Sequence, residues 1–334
     1  MKKKFKSLVN QLKCDIQFVE EIDVLNNQLR SRNWPFIHPY NYGYEIDKVR
    51  NVLAEPSSEV KIFEIYARGF LDLRTTSAFF EGYFKVRPFM KDYAYLVDSS
   101  IILCLQKDFA GAINTLIPAI EGILRDYMVS RGKQKSSLIN IDSLLKIKEV
   151  LSNDYCDIQM EFYRNEQNLD FDKNQKKKLR SLHNQYVSLW LSQLTQYLKM
   201  SLYADTRKTK STDKLNRHNI IHGFNNDPYY SFSNYLRIFN CLHFISWIFG
   251  HVYKDQPILV HEDESEIDKR WKCYIRILAV TKALDSTKKS LLGNDNSRNV
   301  DYSLYMDPFY KYHFEKTENA VKRSFRYTNN YFDW

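Results

Sequence analysis

Apolar residues recur at three- and four-residue steps over most of the chain. Phe5, Leu8, Leu12, Ile16 and Val19 make such a series within 4–30 and predict an amphipathic helix. The segment WPFIHPYNYGYE (34–45) holds two prolines and a glycine and reads as a loop. Helical spacing resumes at 46–54 and 59–86, pauses at Pro88 and returns at 91–106. Within 108–128, Ala112, Leu116, Ile120, Ile123, Leu124 and Tyr127 form one apolar stripe, with Glu121 and Arg125 beside it as an i, i+4 pair. Pro118 removes one intrahelical hydrogen bond there and marks a point where the helix can kink. A short helix is expected at 141–151 and longer ones at 173–203, 231–253 and 264–290. DTRKTKSTDK (205–214) contains no apolar residue and reads as a loop, and an aromatic, basic tail (301–334) closes the chain. No strand alternation, repeat or low-complexity tract interrupts this pattern. The expected fold is all-α.

Composition narrows the picture only modestly. The 334 residues, 44% hydrophobic and 27% charged, suffice for one large or two modest globular domains. A net charge of +9 favours polyanionic partners, nucleic acid before anionic membrane. The five cysteines (Cys14, Cys104, Cys156, Cys241, Cys273) are scattered and form no CxxC, which argues against a disulfide framework and for a reducing compartment. The basic start MKKKFK lacks the uninterrupted apolar run of a signal peptide. The most apolar later stretch, 236–252, is broken by Arg237, Asn240, His243 and Ser246 and is too polar to span a bilayer. The expectation is a cytoplasmic protein with no membrane partner.

The stretch NRHNIIHG (216–223) carries the densest chemistry. Leu215, Ile220 and Ile221 can anchor it in a core, and Ser211, Thr212 or Asp213 can cap it. Arg217 offers a planar fork of donors suited to phosphate oxygens. His222 titrates near neutrality and can give or take a proton. Asn219 and His218 lie three and four residues before His222, on its helical face. Such a set can cleave RNA without metal: a base takes the 2′-OH proton, the oxygen attacks phosphorus, and the arginine stabilises the growing charge. On a regular helix, however, Arg217 and His222 point roughly 140° apart. They converge only if Arg217 sits in a frayed first turn or a second subunit completes the site. The spacing alone has little weight, because Arg32 with His38 and Arg237 with His243 fall in the same range of four to six residues.

Context adds to it. NRHNIIHG, preceded by a polar loop, followed by an apolar helix and paired upstream with LIPAIEGILRD (116–126), resembles the HEPN superfamily of small helical-bundle ribonucleases. The resemblance covers about 90–255. Arg217 matches the family arginine and His222 its histidine. His218 stands in the polar position after the arginine, where asparagine is common, and Asn219 follows one place later. Glu121 and Arg125 resemble the acidic and basic positions of the family's earlier helix. The resemblance implies a helical bundle with additional N- and C-terminal helical segments and a homodimer whose motif helices meet. It also implies RNA as substrate, cleavage without metal or cofactor, and a protein inhibitor or sensor as a further partner. Catalysis then falls to Arg217, His222, Asn219, His218 and Glu121. Arg125, Lys208, Lys210 and Lys214 would contact the RNA backbone. The corresponding division of the chain is 1–88, 89–255 and 256–334.

Three other readings stay open. His218 and His222 can share a zinc ion, although no third or fourth ligand is evident. Both histidines can simply cap and solvate a helix end, and Glu121–Arg125 can be a surface pair. The chain can also be a non-catalytic helical module that binds RNA or protein. The basic runs KKKLR (176–180) and RKTKSTDK (207–214) read as solvated faces or as tracks for an RNA backbone. The aromatics of the tail can stack bases or pack on the domain. The resemblance to the HEPN superfamily implies a growth-arresting toxin or antiviral-defence effector as the biological class.

Overall fold

The computed structural model describes residues 2–36, 42–55, 58–132, 141–203, 215, 216, 220, 230–253, 263–292 and 300–329. Among them the fold is all-α, with no strand. The helices are α1 (Lys2–Ser31), α2 (Tyr42–Leu53), α3 (Ser58–Leu71), α4 (Leu73–Phe79), α5 (Ala94–Leu105) and α6 (Phe109–Ser130). They continue with α7 (Ile141–Asn165), α8 (Lys173–Tyr197), α9 (Phe232–Val252), α10 (Glu264–Leu292) and α11 (Pro308–Asn329). Single π turns, Phe80–Phe84 and Leu198–Leu202, extend α4 and α8.

The helices sort into two compact units that do not follow the expected segments 1–88, 89–255 and 256–334. One comprises 1–58, 120–229 and 239–258; the other comprises 59–119, 230–238 and 259–334. The division falls inside α6 and α9, because each is long and apolar enough to supply core residues at both ends. In α6 it follows Pro118. Helix α6 continues through this proline, and Pro118 and Asn114, whose carbonyl loses its donor, are both exposed, where water can replace the bond.

In the first unit α1 and α8 run parallel. Phe5 meets Phe171 edge-on at 5.8 Å near their starts, and Asn26 donates to Gln193 at 2.6 Å near their ends. Asp172 caps α8 and forms a capping box with Gln175. Helix α7 runs to Asn165, well beyond the expected 141–151, because Val150, Leu151, Tyr155, Cys156 and Tyr163 keep a helical spacing of buried residues. Phe36 stacks on Phe244 at 4.3 Å, and Asn240 donates to the Phe36 carbonyl at 2.8 Å.

In the second unit Phe63, Phe70, Phe109 and Tyr302 surround the Phe232 ring at 5.1–5.9 Å. Arg270 on α10 ties this unit together. Its Nε reaches Glu81 at 2.6 Å, its guanidinium reaches Asp98 at 2.5 Å, and it lies 3.8 Å over the Phe80 ring. The described part of the tail packs as α11. Tyr310 and Phe314 are buried, and Trp271 packs its ring against Tyr310 and His313. For these residues the packing alternative holds.

Candidate functional site

Helix α6 presents Glu121, which is partly buried. The Tyr203 hydroxyl donates to its Oε1 at 2.9 Å. Tyr203 ends the π turn that extends α8, and its backbone N–H donates to the Leu198 carbonyl five residues back, at 2.8 Å. That bond is what a π turn supplies in place of the α-helical one, and it fixes where the ring leaves the helix. Arg125 Nε pairs with Asp126 at 3.0 Å. The two residues expected to pair with each other, Glu121 and Arg125, therefore each have a different partner.

At the 216–223 stretch and the residue before it, three buried anchors are described. Leu215, Asn216 and Ile220 are 2%, 1% and 1% exposed. The Ile220 N–H donates to the Asn216 carbonyl at 3.0 Å, the i−4 bond of an α-helical turn. These three residues belong to the same unit as Glu121 and Tyr203. Arg217, His218, Asn219 and His222 lie outside the described residues, as do Lys208, Lys210 and Lys214.

A second polar cluster occupies the other end of the same stretch of α6. Tyr127 donates to Asp154 Oδ2 at 2.7 Å, and Arg131 pairs with that oxygen at 2.7 Å. Burial and the adjacent Asp154 carboxylate push the Tyr127 phenol well above its ordinary range, so it stays a donor. The cluster joins α6 to α7, and its composition suits fastening more than chemistry.

Of the pairs Arg32 with His38 and Arg237 with His243, the second places its histidine in the core. His243 is 2% exposed and packs edge-on against Phe239 at 4.7 Å, while Arg237 bonds Asn234 at 2.7 Å. All five cysteines are free thiols, and Cys104, Cys156 and Cys241 are buried. Among the described residues no three His, Cys, Asp or Glu side chains gather as a metal site, and no helix is long and apolar enough to cross a membrane. No family model, curated protein or solved structure matches the chain.

Tyr203 and Asn216 are the residues that sequence reasoning passed over. Tyr203 lies 82 positions from Glu121 and follows a regular helical pattern, so nothing local points to their contact. Asn216 stands directly before Arg217, and its burial gives the stretch a fixed polar anchor.

Proposed function

We propose that the chain is a metal-independent endoribonuclease acting through Arg217 and His222. The observation that carries this reading is the setting of 216–223. Asn216 and Ile220 are buried and joined by a helical bond, and Glu121 is held by Tyr203 in the same unit. Anchors of this kind suit a site that must hold polar groups in a fixed relation.

In this mechanism His222 takes the proton from a ribose 2′-OH. The 2′-oxygen bonds to the adjacent phosphorus, the bond from phosphorus to the 5′-oxygen breaks, and the departing oxygen takes up a proton. Arg217 stabilises the charge on the phosphoryl oxygens, a role worth about a hundredfold or more in rate. His218 or Asn219 orients the ribose or phosphate, and Glu121, on α6 of the same unit, helps to steer them. Arg125, Lys208, Lys210 and Lys214 contact the flanking backbone. The reading includes a homodimer, since two chains can supply the arginine and histidine that one regular helix separates by roughly 140°. It places the protein in the cytoplasm as a toxin or antiviral-defence effector restrained by an inhibitor or sensor.

The test is cleavage of total RNA by the purified chain and by Arg217→Ala and His222→Ala. Both variants should lose cleavage by about a hundredfold or more while keeping the helical circular-dichroism signal. Equal cleavage by all three would sink the assignment, and RNA binding without cleavage would favour the non-catalytic module.

A further inference from the structure

Two basic runs that lie some 170 residues apart in sequence come together at one end of the first unit. Because α1 and α8 are parallel, their starts are neighbours. Val9 and Leu12 of α1 share a buried cluster with Tyr163, Leu169, Phe171 and Leu179, and Phe5 packs against it. The residues opening each helix therefore crown one apolar cluster. On α1 these are Lys3, Lys4 and Lys6, all exposed; on α8 they are Lys173, Lys177 and Lys178, also exposed.

The charge there is not neutralised internally. Lys176 and Arg180 do take Asp170 and Asp157 as partners. The six exposed lysines have no ion pair among the described residues. Across 3–6 and 157–180 the cations outnumber the carboxylates by nine to five. Beyond the Asp172 cap, neither helix has an acidic residue in its first turn. Lys3, Lys4 and Lys173, in the first turns, oppose the positive end of the helix dipole, and the remaining lysines add mutual repulsion, so this arrangement works against the stability of both helices. A bound polyanion would offset both the mutual repulsion and the dipole mismatch.

We infer that this end of the unit is a docking surface for the phosphate backbone of single-stranded RNA. Lys173 and Lys177 are one helical turn apart, about 6 Å along the axis, a spacing that lets neighbouring lysines meet successive phosphates. Phe162, 40% exposed at the end of α7, offers a ring face for a base at the same end. A bilayer would call for several apolar side chains among the lysines; Phe162 is a single one, and the exposed residues Ser7, Asn10 and Gln11 of α1 are polar. Its lysines are not among the residues proposed for cleavage, and its binding role does not require catalysis.

The experiment measures binding of the full chain to a labelled 2′-O-methyl oligoribonucleotide of about 20 nucleotides over a range of salt. This probe lacks the 2′-OH and cannot be cut by the proposed mechanism. Three variants are compared with the wild type: Lys3→Gln/Lys4→Gln/Lys6→Gln, Lys173→Gln/Lys177→Gln/Lys178→Gln, and a charge-matched control, Lys269→Gln/Lys272→Gln/Lys316→Gln. Each of the first two should flatten the slope of log affinity against log salt by about two and weaken binding about tenfold near 0.15 M salt. The control should bind within about twofold of wild type. The first two should also melt no lower than wild type, since the lysines oppose the helix dipoles; a merely structural role would lower stability and binding together. Unchanged binding by both, or an equal loss in the control, would overturn the inference. So would lysine-dependent binding to phosphatidylserine vesicles with RNA binding unaffected. A chain that binds through this surface yet cuts no RNA contradicts only the cleavage reading. One that cuts RNA but binds equally well after neutralisation contradicts only this inference.

Discussion

His183 lies inside the first unit with its ring 2% exposed and its Nε2 at 2.9 Å from the Tyr163 hydroxyl. Burial pulls its pKa down to about 4, so the folded chain holds it neutral. A depressed folded pKa contributes stability that is complete above the ordinary histidine range and is lost as pH falls from about 6.5 toward 4. We predict a loss of about 2 kcal/mol between pH 7 and pH 5 in chemical denaturation, and a smaller loss in His183→Gln. An identical pH slope in both would show that His183 is not the group responsible. Arg270 makes the complementary case in the second unit. Burial alone would raise the Glu81 pKa, yet hydrogen bonds from Lys85 and Arg270 hold it below its ordinary value. Arg270→Ala leaves Glu81 and Asp98 without their shared cation and should cost about 3 kcal/mol. A loss under about 1 kcal/mol would mean the network is solvated like an ordinary surface pair. Neither effect was legible in the sequence, where His183 and Arg270 stand among residues of no special pattern. Each depends on partners brought from other helices.

At the scale of elements, the periodic stretches were legible and the exceptions have physical causes. The expected helices at 4–30, 108–128, 231–253 and 264–290 match α1, α6, α9 and α10 within about two residues, because each buries a continuous apolar stripe. Helix α7 was underestimated because its second half buries tyrosines and a cysteine in place of aliphatic residues. The helical spacing over 59–86 holds two α-helices that divide at Asp72, whose side chain caps α4 by accepting the Thr75 N–H. What periodicity could not reveal is the direction in which helices pair. The parallel register of α1 and α8 is marked by the Asn26–Gln193 bond, between side chains that are both fully buried. We predict that Asn26→Leu alone costs about 2 kcal/mol or more, because it strands the Gln193 amide. The double variant Asn26→Leu/Gln193→Leu should recover most of that loss. Additive losses in the double-mutant cycle would show that the two amides are not coupled.

For the whole molecule, the fold class was readable from the pattern of apolar residues, whereas the two-unit division was not. Long helices such as α6 and α9 serve both units, and a linear reading assigns each helix to one segment. Of the candidate site, the sequence alone supplied Arg217, His218, Asn219 and His222, and the fold adds the buried anchors Leu215, Asn216 and Ile220 with the Tyr203–Glu121 contact. The excess charge of +9 also takes on a location in part, at the shared start of α1 and α8. The central claim is RNA cleavage by 2′-OH attack without metal. The most direct measurement is mass spectrometry of the fragments from a defined oligoribonucleotide incubated with wild-type chain in excess EDTA. Attack by the 2′-OH should yield fragments ending in 2′,3′-cyclic phosphate, and none from Arg217→Ala. An intact oligonucleotide in EDTA, or fragments that appear only when a divalent metal is restored, would contradict it.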